Sequence, residues 1–218
     1  LHSEVTPMPF EQVKEVIEEA YGFGWDEVFA DIEEEPLGSA SIAQVHRAVL
    51  KSGGQVVVKV QRKGIYEIMA RDIGLLHKAV KLVPSATLKD MVDLDMVLDE
   101  LWMVAQEEMN FLAEAANMEE FAKKNQEIVF VETPRLYREY TTSHVLVMEY
   151  IDGFAVDDKK NLLENGYDLN EIGTKLVDHY IKQVMEDGYF HADPHPGNAR
   201  IRKGKIVRID MGMMERPT

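Results

Sequence analysis

The sequence predicts an α+β fold in which a small antiparallel sheet is interrupted by helices and followed by a helical part. A first hairpin is predicted by two apolar segments, 42–50 and 55–60, which flank the turn residues Lys51-Ser52-Gly53-Gly54. A second, shorter hairpin is predicted at 199–210. Apolar residues recur at helical spacing in four other segments, which are 10–20, 65–83, 92–124 and 168–186.

Local signals place the elements between these segments. The N-terminal helix is expected to end at Gly22, and 25–30 is expected to form a further short helical turn. The residues Pro84-Ser85 are expected to separate the two central helices, because proline cannot continue a helix.

The second half of the chain alternates strand, helix and loop signals. The segments 134–139 and 144–150 are expected to form a strand pair joined by Thr141-Thr142-Ser143. The segment 188–198 is expected to be a loop, because it holds two prolines and two glycines between polar residues.

Composition excludes several classes of function. The chain has 218 residues with 24 Lys+Arg against 39 Asp+Glu, so its net charge of −15 disfavours nucleic acid and anionic membrane surfaces as partners. It has no cysteine, which excludes disulfides and thiolate nucleophiles and indicates an intracellular, cytoplasmic location for the chain as given. No apolar run approaches 18 residues, so no transmembrane segment is predicted.

Three features of the first half suggest phosphate chemistry. Lys59 interrupts an apolar strand, where it either points to solvent or holds nucleotide phosphates and pairs with a helix glutamate. Small residues at Gly38, Ser39, Ala40 and Ser41 form either an ordinary turn or a loop whose backbone N–H groups approach phosphates. Glu114 lies among alanines and is either a solvated helix residue or the partner of Lys59.

The strongest signal is the spacing of three polar residues near the end of the chain. Asn198 follows Asp193 by five residues, and Asp210 begins an Asp-Met-Gly triplet after the second hairpin. Phosphoryl transfer needs a carboxylate at the acceptor, an amide oxygen on Mg²⁺ and a second carboxylate on the metal, and protein kinases use this spacing. The alternative is a transition-metal hydrolase that uses the His191-x-Asp193-x-His195 pattern as ligands.

Several strings together resemble the UbiB/ADCK family of atypical, protein-kinase-like proteins. The most specific is His191-Ala192-Asp193-Pro194-His195-Pro196-Gly197-Asn198. The other segments that carry the resemblance are 36–48, 58–62, 114–117 and 148–153. The resemblance covers nearly the whole chain, from about Met8 to Met214.

The resemblance implies a bilobed kinase-like fold that binds ATP or ADP with Mg²⁺ and has ATPase activity. It implies a kinase-like N-lobe over 1–150 and a partial C-lobe with the catalytic loop over 151–218. It also implies isoprenoid lipids, or proteins of ubiquinone and other isoprenoid-lipid biosynthesis, as partners, and a parent protein associated with membranes. A catalytically inactive pseudokinase scaffold that binds protein or lipid partners is the alternative.

The resemblance also implies roles for individual residues. Lys59 is expected to hold phosphates and pair with Glu114, while Asp193 occupies the catalytic-loop aspartate position. Asn198 and Asp210 are expected to bind Mg²⁺. The remaining positions are the nucleotide loop, Gly38, Ser39, Ala40 and Ser41, and the hinge against adenine, Met148, Glu149, Tyr150 and Ile151.

The sequence departs from the family pattern at several points. The K-x-G-Q motif is absent, the E-x-D motif reads Glu108-Met109-Asn110, and six residues follow Gly212. We therefore expect a shortened, altered or unusually compact member without the distal helices of the large lobe. Arg200 and Arg208 stand where the family has apolar residues, and we expect them to solubilise a face that those helices would cover.

Overall fold

The computed structural model describes residues 5–82, 93–192 and 195–216. Within these residues the α-helices are Phe10–Tyr21 (α1), Ile65–Leu82 (α2), Leu94–Glu108 (α3), Phe111–Asn125 (α4), Lys159–Glu164 (α5) and Leu169–Lys182 (α6), which a π-helical turn, Gln183–Asp187, continues. The strands are Phe29–Ile32 (β1), Gly38–Ser39 (β2), Ala43–Leu50 (β3), Gln55–Gln61 (β4), Val131–Glu132 (β5), Val145–Glu149 (β6), Phe154–Ala155 (β7), Phe190–His191 (β8), Ala199–Arg202 (β9), Lys205–Arg208 (β10) and Met214–Glu215 (β11). Short 3₁₀ turns cover Trp25–Glu27, Arg138–Tyr140 and Pro196–Asn198.

The first sheet has five antiparallel strands in the order β1-β3-β4-β6, with β2 paired to β3. Its two faces are covered by different helices, because side chains alternate along each strand. Val58 and Val60 of β4 lie in one core with Val13 and Ile17 of α1. The side chains between them point the opposite way, towards α4, and this alternation puts Lys59 on the α4 side of the sheet.

The core between the sheet and α4 fixes where that helix lies. The buried side chains of this core are mostly large and apolar: Val57, Phe111, Ala115, Met118, Phe121, Leu146 and Met148. Phe111 and Phe121 are each about 1% exposed. Burying an aromatic side chain of this kind contributes roughly 1.5–3 kcal/mol, so α4 is held firmly against the strand that carries Lys59.

The prediction of a single helix over 92–124 is wrong, because the structure has two helices in this segment, α3 and α4. Asn110 lies at the division with φ −109° and ψ 94°, and its side chain accepts a hydrogen bond from the backbone N–H of Leu112. Asparagine is among the best N-cap residues, so a new helix starts at the next residue. Glu114 is therefore in the first turn of α4. The predicted break at Pro84-Ser85 lies outside the described residues.

The second sheet contains the predicted C-terminal hairpin and has the strand order β5-β10-β9-β7. Strands β9 and β10 are antiparallel and turn at Lys203 and Gly204, which both have positive φ, 51° and 77°. Strand β5 runs parallel to β10, so a strand from before residue 150 pairs with one from after it. The boundary between an N-lobe and a C-lobe at residue 150 stays a prediction. A separate apolar core lies beneath this sheet and contains Leu162, Ile172 and Ile201.

Three local expectations are corrected by pairing that acts between distant segments. The segment 25–30 is helical only over Trp25–Glu27, because Phe29 starts β1 and pairs with Leu50. The segment 134–139 contributes only an isolated bridge, Leu136 to Met148, before a 3₁₀ turn. The predicted loop 188–198 contains the short strand β8, which pairs with β11.

The expectation that the two hairpin arginines solubilise a surface is wrong for Arg208, which is only 4% exposed. Arg200 is half-buried and donates to the carbonyl oxygen of Gly153 across 2.9 Å. In the described ranges, none of the helices combines the length and the apolar character needed to span a membrane.

Candidate functional site

Most of the predicted site residues line one cleft between the two sheets. Its main cavity has a volume of about 380 Å³, and a second cavity of about 190 Å³ shares six lining residues with it, among them the polar residues Lys59, Glu114, Asn198 and Asp210. The main cavity also contains the loop residues Gly38, Ser39 and Ala40 and the strand-end residues Met148, Glu149, Tyr150 and Ile151. Ser41 lines the second cavity, and Asp193 lies outside the described residues.

Lys59 and Glu114 form an ion pair at the centre of the cleft. The Lys59 Nζ atom lies 2.7 Å from Glu114 Oε2, and the two side chains are 20% and 6% exposed. The Phe111 ring lies beneath the ammonium, with its centroid 5.2 Å from Nζ. Of the two interpretations of Lys59 and Glu114, the structure therefore supports the ion pair and not the solvent-facing side chains.

The charges in the cleft shift each other's pKa. Burial opposes protonation of Lys59, but the carboxylates of Glu114 and Asp210 outweigh it and raise the Lys59 pKa above its usual value. Burial raises the pKa of Glu114, and the neighbouring Lys59 opposes that rise. The nearby Lys59 lowers the pKa of Asp210. At neutral pH Lys59 is therefore a cation and Asp210 an anion.

A third carboxylate, Glu108 at the end of α3, adds negative charge to the second cavity. Burial raises its pKa, and Asp210 raises it further while Lys59 opposes the rise. Asn198 and Asp210 offer an amide oxygen and a carboxylate, which are hard oxygen ligands suited to Mg²⁺. Two protein ligands are sufficient for this ion, because Mg²⁺ usually keeps several waters and takes its other ligands from substrate phosphates.

The alternative His-x-Asp-x-His metal site gains no support from the described residues. Its central Asp193 lies outside them, and no group of three or more His, Asp or Glu side chains placed to hold a metal occurs within them. His191 is only 1% exposed, and its Nε2 lies 2.9 Å from the backbone oxygen of Asp210. The structure thus puts His191 beneath the Asp-Met-Gly segment.

Asn117 and Tyr189 hold the same segment from the other side, a contact that sequence reasoning missed. The Asn117 amide donates to the Met211 carbonyl oxygen across 3.0 Å, and the Tyr189 hydroxyl donates to Asn117 Oδ1 across 2.8 Å. The backbone N–H of Gly212 donates to Asp210 Oδ1 across 3.0 Å. The carboxylate of Asp210 is consequently fixed in direction towards the cleft.

Sequence reasoning also missed the role of Arg62, which holds the small-residue loop. Its Nε donates to the Ala40 carbonyl oxygen across 2.7 Å, and Nη2 donates to Ser39 Oγ across 2.6 Å and to the Thr6 carbonyl oxygen across 3.0 Å. A charged residue directly after a buried strand is the only sequence signal for this role.

The predicted hinge continues β6 and faces the loop across the cleft. The Tyr150 backbone N–H donates to the Gln55 carbonyl oxygen across 3.1 Å, which ties the hinge to the start of β4. The Glu149 carboxylate is occupied by an ion pair with Arg202 and by the backbone N–H of Arg135. Any contact from Glu149 to a molecule in the cleft would therefore come from its backbone.

Three features together are typical of the protein-kinase-like class. They are the five-stranded sheet, the strand lysine paired with a helix glutamate, and an asparagine and an aspartate that line the same cleft. Comparison with known proteins makes this more specific. The ABC1 atypical kinase-like domain matches residues 1–218, and the chain belongs to that family. The resemblance found in the sequence is thus confirmed.

Relatives and solved structures agree with this membership. The chain is 40% identical over 214 residues to an uncharacterised protein of the hydrogenase 1 5′ region of Clostridium pasteurianum, covering 98% of the chain and 40% of that protein. It is 35% identical to AarF domain-containing protein kinase 1 of Xenopus tropicalis, covering 99% of the chain and 42% of that protein. The chain therefore spans less than half the length of these relatives.

Two solved structures confirm the predicted kinase-like α+β fold. Rv3197 of Mycobacterium tuberculosis, solved with erythromycin, superposes with a TM-score of 0.78 at 28% identity, over 97% of this chain and 53% of that one. Rio2 kinase of Chaetomium thermophilum, solved as an ADP/Mg²⁺-phosphoaspartate complex, gives a TM-score of 0.55 at 14% identity, over 95% and 53%.

Proposed function

We propose that the cleft binds ATP or ADP with Mg²⁺ and that the protein is an atypical kinase or ATPase. The observation that carries the proposal is the convergence of the Lys59–Glu114 pair, Asn198 and Asp210 on one cavity that also reaches the hinge. An ammonium at one side of a site and two oxygen ligands at another can bracket a metal-bound triphosphate. Rio2, which has this fold, was solved with ADP and Mg²⁺.

Each group then has a defined task. Lys59 binds phosphate oxygens while Glu114 holds its ammonium in place, and the Gly38–Ser41 loop covers the phosphates. Asn198 and Asp210 hold Mg²⁺, which neutralises charge on the transferred phosphoryl group. Asp193 orients the nucleophile, and the γ-phosphoryl group passes to water or to another acceptor. From the family we extend the proposal to ubiquinone or other isoprenoid-lipid biosynthesis, with intracellular lipid or protein partners.

The test is isothermal titration calorimetry of ATP and ADP with and without Mg²⁺. We expect binding that requires Mg²⁺ and is weakened about 10–100-fold by Asp210→Asn, a loss of about 1.4–2.7 kcal/mol. Asp31→Asn, an exposed carboxylate on β1 outside the cleft, is the matched control and should leave binding unchanged. Absence of binding to the unsubstituted protein at millimolar nucleotide would exclude the proposal.

A pseudokinase scaffold is the second candidate, and Asn110 is the observation that favours it. This residue stands where the E-x-D motif has its second carboxylate, and its side chain is occupied as the N-cap of α4. A phosphate-release assay that compares the protein with Asp193→Asn separates the two functions. A rate that falls in the variant supports an enzyme, whereas equal background rates support a module that binds without turnover.

Arg62→Ala should weaken Mg²⁺–ADP binding about tenfold, because the two side-chain hydrogen bonds from Arg62 to Ser39 and Ala40 of the loop are lost with it. Lys63→Ala is the control, since Lys63 pairs with Glu15 and Glu19 on α1 instead of the loop. Arg62→Lys should restore part of the affinity. Equal dissociation constants for Arg62→Ala and Lys63→Ala would show that Arg62 does not position the loop.

A further inference from the structure

A cavity of about 270 Å³ lies between α6 and the β9–β10 hairpin, outside the candidate nucleotide cleft. Its walls are mainly apolar and contain Val156, Leu176, Val177, Tyr180, Ile181, Pro196 and Ala199. None of its lining residues lines the cavities of the cleft. The two other lining residues are His195 and Arg208, and Arg208 is the one with a fixed charge among the described residues that line the cavity.

Arg208 is unusual because its charge is buried without a partner of opposite charge among the residues that the structure describes. The residue is 4% exposed, its Nε has no hydrogen-bond partner, and its guanidinium forms no ion pair with any residue in the described ranges. A buried cation without a partner is costly, and arginine stays protonated at physiological pH. Burial lowers the pKa of Arg208, while Tyr180 opposes that shift. Among the described residues, no negative charge therefore balances the guanidinium of Arg208.

We propose that this cavity binds an apolar carboxylic acid, with the carboxylate on Arg208 and the apolar body along α6. A guanidinium binds a carboxylate through parallel hydrogen bonds, which matches the missing negative charge. The cavity provides one cation in apolar surroundings, so a monoanion leaves no uncompensated charge, whereas a phosphate dianion would leave one. Val177 and Ile181 belong to the apolar wall and are 58% and 53% exposed, so they are accessible to the apolar body of a ligand.

The apolar wall explains why a simple inorganic anion is not the expected ligand. Val177 and Ile181 are four residues apart on α6 and therefore lie on the same face of the helix. Transfer of an alkyl chain from water onto this face strengthens binding about fourfold for each CH₂ that becomes buried. The proposal is independent of nucleotide binding, because the two sites share no lining residue.

Titration calorimetry with octanoate, octanol and octylamine tests the proposal. These probes have the same alkyl chain and carry a negative, neutral or positive head group. We expect octanoate to bind at least about tenfold more tightly than octanol, the effect of one charge-assisted contact, with octylamine weakest. Equal affinity for octanoate and octanol would overturn the proposal, as would the absence of octanoate binding at millimolar concentration.

Two variants assign the binding to this cavity. Arg208→Met keeps the length of the side chain and removes the charge, so it should abolish the preference for octanoate over octanol. Val177→Asp places a negative charge on a side chain that is already exposed, and it should weaken octanoate binding about tenfold without disturbing the core. A preference for octanoate that survives in both variants would place the binding elsewhere. Mg²⁺–ADP affinity should be unchanged in Val177→Asp.

Discussion

Glu114→Leu is expected to lower the free energy of unfolding by about 3 kcal/mol, because it leaves the Lys59 ammonium buried without its nearest partner. Breaking a buried ion pair typically costs about 3–5 kcal/mol. The lower end applies here, since the Lys59 side chain keeps 20% of its exposure and Asp210 also attracts its charge. Urea denaturation at pH 7, followed by circular dichroism, measures this change.

The double variant Lys59→Met/Glu114→Leu distinguishes the loss of a partner from the loss of the pair itself. Replacing both charges by apolar side chains of similar volume is often neutral, so the double variant should lie within about 1 kcal/mol of the unsubstituted protein. A similarly small effect of Glu114→Leu alone would mean that solvent screens the pair. Nucleotide binding should be lost in the double variant, which would show that the pair is kept for its ligand.

The position of Lys59 shows how far sequence pattern can predict a site. The β-branched run predicts a strand, and alternation along it puts Lys59 on the face opposite Val58 and Val60. The pairing with Glu114, 55 positions later, is one of the two interpretations that the residues allow and the one that the family resemblance implies, and the structure contains that contact. Alternation specifies a face of the sheet, but only the packing of α4 determines which residue lies opposite Lys59.

The features that the sequence did not predict depend on contacts between distant segments. The break between α3 and α4 was missed because the apolar spacing continues through Asn110, whose capping role depends on the path of the backbone. The loop contact of Arg62 was missed because it joins residues 22 and 23 positions apart. Arg208 was misjudged as a surface residue, since hairpin strands alternate but do not indicate which face α6 covers.

A second stability prediction concerns His179 on α6, which is 1% exposed and held neutral by its neighbours. Its Nε2 lies 2.8 Å from Asn125 Oδ1, and its Nδ1 lies 3.2 Å from Gln183 Nε2. Gln183 Oε1 accepts from the backbone N–H of His191, so Gln183 Nε2 is a donor and His179 Nδ1 must accept. A protonated ring would place two donors against each other.

The surroundings of the His179 ring lower its pKa, so they favour the same neutral form as the hydrogen bonds do. Burial contributes most, the charges of Arg208 and Lys182 lower the value further, and Asp187 opposes them, which brings the His179 pKa to about 4. The unfolded chain binds a proton near pH 6.5, whereas the folded chain binds it only near pH 4. Stability from this group is therefore present above pH 6.5 and is lost as the pH falls towards 4.

The expected loss between pH 7 and 4 is about 3 kcal/mol, since each unit of pKa difference corresponds to about 1.4 kcal/mol. His179→Gln should lower stability at pH 7 and flatten this pH dependence, which urea denaturation at a series of pH values would measure. His144→Gln, at an exposed position, is the control and should keep the slope. Carboxylates that titrate in the same range contribute equally to both variants. The difference between the two pH profiles therefore reports the contribution of His179. Parallel pH profiles for the two variants would show that folding does not shift the His179 pKa.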